Sequence, residues 1–119
     1  MEEKKVLFVV YQAPVGAIWV NETFRSAFGM YGEDIAPAVL LMDAAVTTLS
    51  TDTSPESLGL LPVKMVQRYL KRYETPVYAV KEDVKRFRVE NIDAGYGAEM
   101  LPRSSLSEFL HTFDNVIFF

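Results

Sequence analysis

Five apolar residues in a row, Val6 to Val10, open a chain whose hydrophobic pattern changes period several times. An unbroken β-branched and aromatic run predicts a strand covered on both faces, because a strand with one wet face would alternate. From Ala17 the spacing turns helical. Val20, Phe24, Ala27, Phe28 and Tyr31 share one helix face, and Gly32 is placed to close that helix in the left-handed conformation. Ile35 to Met42 predicts a second buried strand, ending at Asp43. The Ser/Thr-rich stretch Thr47 to Ser57 reads as an exposed loop, in which Ser54 and Pro55 can cap a short turn.

Pro62 starts the next helix, with Val63, Val66, Leu70 and Tyr73 on its apolar face and Lys64, Gln67, Lys71 and Arg72 toward water. Pro76 to Val80 predicts a third strand, Glu82 to Phe87 a short helix, and Ala98 to Leu101 a fourth, short strand. Ser105 and Glu108 have the spacing of a capping box, and Leu106, Phe109, Leu110 and Phe113 form the buried face of the helix that follows. Val116 to Phe119 is a fifth strand. Strands alternating with helices predict a parallel sheet with helices on both faces.

Composition narrows the chemistry. At 119 residues, half of them hydrophobic, residues 1–119 read as a single domain. A net charge of −4 argues against general nucleic-acid binding. No run approaches the ~20 apolar residues of a membrane span and no signal-peptide pattern opens the chain, so a cytoplasmic protein is expected. There is no cysteine, hence no disulfide, thiolate ligand, thiol nucleophile or persulfide on this chain. A single His111 excludes a multi-histidine metal site, and no metal or cofactor is expected.

Ligands of open parallel sheets sit at the carboxyl ends of the strands, which points to Tyr11–Gly16, Asp43–Val46 and Lys81–Asp83. The first of these loops is no phosphate cradle, having one glycine, no lysine and a proline that lacks the amide donor. A phospho-receiver is excluded too, because Tyr11–Gln12 stands where clustered carboxylates are required and no lysine follows the last strand. Asp43 and Glu22 could serve as acid and base at neighbouring strand ends, but loop bracing is the more economical role, with no partner nucleophile in view. Gln12, Pro14, Gly16, Trp19, Glu22 and Asp43 are accordingly candidates for an interface or a pocket. His111 falls off the apolar face of its helix and reads as solvated.

Charge is uneven. Residues 64–88 carry +5 and the remainder −9, with Tyr69, Tyr73, Tyr78 and Phe87 interleaved in the basic window. Lys64, Arg68, Arg72, Lys85 and Arg86 are candidates for a face that docks an acidic partner, against the alternative of two solvated helix faces.

Taken together, Ala13–Pro14–Val15–Gly16 after the first strand, Asn21–Glu22 early in the first helix, Asp43–Ala44–Ala45–Val46 after the second strand and the apolar closing strand resemble the DsrE/DsrF-like family, within it the DsrF/TusC-type branch. Two positions depart from that branch: Asn21 stands where arginine is favoured, and Ala44–Ala45 lacks the turn glycine. The resemblance implies a three-layer α/β/α fold with five parallel strands in the order 4-3-2-1-5. It also implies a place in a sulfur relay, serving tRNA 2-thiolation or sulfur oxidation. In that family a cysteine just after the third strand of the DsrE/TusD-type subunit carries persulfide; the matching text here is Val80–Lys81–Glu82. The expectation is therefore a non-catalytic, cysteine-free subunit, assembling with itself or with DsrE/TusD-like and DsrH/TusB-like partners. The alternative is a stand-alone homo-oligomer of the same fold that binds a small molecule or regulates.

Overall fold

The computed structural model describes residues 4–12, 19–29, 35–50 and 63–119, excluding the side chains of residues 19, 21 and 63–65. Strand β1 (Lys4–Val10) lies centrally, flanked by β2 (Ile35–Leu41) and β5 (Asn115–Phe118). Beyond β2 come β3 (Val77–Val80) and β4 (Glu99–Leu101), giving one sheet in the order β4-β3-β2-β1-β5 with every pairing parallel. The expected α/β fold and strand order are present. The helices are α1 (Trp19–Gly29), α2 (Val63–Tyr73), α3 (Lys81–Arg86) and α4 (Leu106–His111).

The continuous apolar runs are explained by burial on both faces. Val6, Phe8 and Val10 point into a large core with Val39, Leu41, Val77 and Ala79, closed by Val20, Phe24 and Ala27 of α1 and Val66 and Leu70 of α2. Leu7, Val9, Ala38, Leu40 and Val80 point the other way, where Leu106, Phe109, Leu110 and Phe113 cover them from α4 and its exit. Those four α4-side residues are only half-buried, so this second face is thinly roofed.

Pro37 sits inside β2 without breaking the ladder. The Val39 amide bonds the Pro76 carbonyl at 3.0 Å, so odd-numbered β2 amides point toward β3; β3 joins β2 only from the Val39–Val77 pair onward. The missing Pro37 donor thus faces ground that β3 does not reach.

Several expectations are corrected. Thr47 to Leu49 are not exposed loop but the end of a 3₁₀ segment, Asp43–Leu49, in which Ala45, Val46, Thr48 and Leu49 are buried. Val46 and Leu49 are three residues apart, the period of that tighter helix, which the Ser/Thr content conceals. The continuation, residues 51–57, lies outside the described residues, as do Tyr31, Gly32 and Pro62. The capping box does not form. Ser105 has φ −100° and ψ 3°, not the extended backbone of an N-cap, and its hydroxyl donates back to the Pro102 carbonyl at 3.0 Å. Gln67 is half-buried rather than turned to water, donating from Nε2 to Asp93 Oδ2 at 2.8 Å.

Candidate functional site

All five strands end at one edge, and there the chain forms a cleft of about 540 Å³ lined by Tyr11, Met42, Asp43, Glu82, Asp83, Arg86, Arg103 and Phe118. Its charges arise from junctions too short to hold loops. β3 passes directly into α3, so Glu82 and Asp83 occupy the first turn at the strand end, with Lys85 and Arg86 in the last turn. This order, acids first and bases last, suits the helix dipole. Asp43 follows β2 at φ 50°, a left-handed backbone that aspartate tolerates better than most side chains.

Asp83 organises the cleft. It is only 2% exposed, yet Oδ2 accepts the Asp43 amide at 2.7 Å and Oδ1 pairs with the Arg103 guanidinium. A buried carboxylate is tolerable when its oxygens are satisfied in this way. Above it Asp43 pairs with Arg86, both exposed to solvent, an interaction worth about 0–1 kcal/mol. Glu82 accepts the Arg103 amide on both oxygens, at 2.9 and 3.1 Å. Those backbone hydrogen bonds hold its carboxyl below the ordinary glutamate range. Asp43 and Asp83 are thus each paired with a guanidinium, while Glu82 keeps its negative charge and is held by a backbone amide.

The rim is apolar: Phe118 is 60% and Tyr11 48% exposed. Ile117, its neighbour in β5, is exposed as well, on an edge strand that carries neither lysine nor proline. Among the described residues no group of three or more His, Asp or Glu side chains is arranged to hold a metal ion, and no helix is long and apolar enough to cross a membrane.

Of the residues selected from sequence, Asp43 and Arg86 meet here as an ion pair. Glu22 turns instead to Arg25 on its own helix, at 3.3 Å. Gln12 is half-buried after β1; Pro14, Gly16, and the side chains of Trp19 and Lys64 lie outside the described residues. Arg68 and Arg72 are exposed on α2, whereas Lys85 and Arg86 belong to α3 at the carboxyl edge. His111 is exposed, with Nδ1 2.8 Å from the Ser107 carbonyl. Sequence reasoning missed Glu82, Asp83 and Arg103 as a connected set. The available signal was their place just after predicted strands, since parallel strand ends must converge.

No family model and no curated protein matches this sequence. Solved structures do. The chain is similar to the YchN protein of E. coli at 19% identity and a TM-score of 0.80, over 98% of this chain and 99% of that one. It is also similar to BT1422, a conserved protein of unknown function from Bacteroides thetaiotaomicron, at 14% identity and a TM-score of 0.64, over 96% and 94% of the two chains. At these identities the likeness shows the shared α/β fold.

Proposed function

We propose that this chain is a non-catalytic subunit of a DsrE/DsrF-like assembly, of the DsrF/TusC type, which docks other chains at the carboxyl edge of its sheet and leaves sulfur chemistry to a cysteine-bearing partner. One observation carries the reading: exposed Tyr11 and Phe118 border a cleft in which Asp43 and Asp83 are each paired with an arginine. Sulfur transfer needs a thiolate that attacks and then releases sulfane sulfur. At the matching turn after β3 this chain presents Lys81, Glu82 and Asp83. Large aromatic side chains at a polar-floored edge are the composition of a contact surface.

Native mass spectrometry of the tagged protein from its own cells tests the proposal. A stoichiometric complex with a cysteine-containing chain of similar size is expected, and Phe118→Asp should release it. A pure homo-oligomer, or sulfane-sulfur transfer by this chain alone, refutes it. The second reading, a ligand-binding homomer, draws on the cleft volume of about 540 Å³, which lies within the range of small-molecule sites. A bound small molecule of constant mass in the same spectra would favour it.

A further inference from the structure

At the opposite, amino-terminal edge of the sheet lies a second groove of about 430 Å³, on the thinly roofed α4 side. Its floor is formed by register partners Lys5 and Ala36, with Ala38 one pleat further along β2. Both β2 positions carry small side chains, Ala36 half-buried and Ala38 almost fully buried, and β3 pairs with β2 only from Val39 onward. The walls are aromatic: Tyr78 meets Phe109 edge-on at 4.7 Å between ring centroids, and Phe109 meets Phe113 at 5.2 Å.

Among the described residues Lys5 supplies the one cation of the lining. Its Nζ lies 5.1 Å from the centroid of the Phe113 ring, and it takes part in none of the ion pairs among the described residues. The nearby Asp114 carboxylate is engaged by the Lys5 backbone amide at 2.7 Å. Glu74, also in the lining, opposes any second negative group.

We propose that this groove binds a small planar aromatic monocarboxylate, its ring over Ala36 and Ala38 between the aromatic walls and its carboxylate on the Lys5 ammonium. The volume falls in the ordinary range for such ligands. A flat floor of small side chains with ring edges around it favours a planar over a puckered ring, and a lone ammonium opposite a carboxylate selects a single negative charge. The site is independent of the carboxyl-edge cleft and of what docks there.

Calorimetric titration of the full chain with 1-naphthoate tests this, using 1-naphthamide as the uncharged ring and cyclohexanecarboxylate as the non-aromatic acid. Saturable one-to-one binding of 1-naphthoate is expected. Affinity should fall about tenfold for the amide and for Lys5→Gln, the loss of one charge-assisted contact. Ala36→Leu should abolish binding while Arg86→Gln leaves it unchanged, circular dichroism confirming that each variant is folded. If Ala36→Leu does not fold, amide shift perturbations confined to Tyr78, Thr112 and their neighbours in the unmodified chain replace it. Absence of saturable binding, equal affinity for acid and amide, shifts elsewhere, or a second copy of the chain occupying the groove overturns the proposal.

Discussion

Removing the Asp83 carboxylate should test the account of the carboxyl edge most directly. Asp83→Ala deletes two interactions at once and leaves the Asp43 amide and the Arg103 guanidinium without their acceptor. The amide bond to a buried, charged oxygen is worth about 1.5–3 kcal/mol. The guanidinium pair adds about 1 kcal/mol at most, because Arg103 is half-exposed and water screens it. The expected loss is therefore about 3 kcal/mol, which for a domain of this length lowers Tm by roughly 10 °C. Asp83→Asn keeps a carbonyl for the Asp43 amide and should cost about 1–2 kcal/mol. Urea titration followed by circular dichroism measures both. A double-mutant cycle with Arg103→Ala should return a coupling of about 1 kcal/mol, isolating the pair from the amide bond. If Asp83→Ala stays within about 0.5 kcal/mol of the parent, Asp83 does not organise the cleft and the reasoning fails.

Glycine substitution at Arg88, the left-handed residue after α3 at φ 54°, should stabilise the fold by about 0.5–1 kcal/mol, measured as a raised urea midpoint; Arg88→Ala should not. Gly95→Ala would drive a methyl into the Gln67 side-chain amide and break its bond to Asp93, at a cost of about 1 kcal/mol visible in thermal melts. Glu82 is held below its ordinary pKa of 4.5, so its contribution is full above that pH and is lost as pH falls through the folded-state value. Glu82→Gln should flatten that part of the stability–pH curve. For Tyr78, raised above 10.0, the contribution is full below pH 10 and lost as pH rises through the folded-state value, so Tyr78→Phe should flatten the alkaline limb. Phe8→Ala, emptying a side chain 1% exposed, should cost about 3–5 kcal/mol in the same denaturation assay.

The sheet was legible in the chain because burial leaves a periodic trace. Val6 to Val10 must be apolar throughout when helices cover both faces, and Val20, Phe24 and Ala27 must recur at helical spacing when one face is buried. The longer strands and helices follow from that trace, and the strand order came from the family resemblance. Where polar atoms find partners locally, composition misled. Thr47 to Leu49 look like loop, yet their backbone closes a 3₁₀ segment in which the Thr47 hydroxyl donates to the Ala44 carbonyl and Leu49 joins the core. Ser105 has the right residue type for a cap and the wrong backbone for it. The cleft was half legible: strand-end loops named Asp43 and Asp83 as neighbours in kind, but not as partners. Forty residues separate the Asp43 amide from the carboxylate that accepts it, and twenty separate Asp83 from Arg103. Periodicity records which side of an element is dry, a property of nearest neighbours along the chain. Which charge meets which across the edge of a parallel sheet depends on the order and register of strands, and those exist only once the chain has folded.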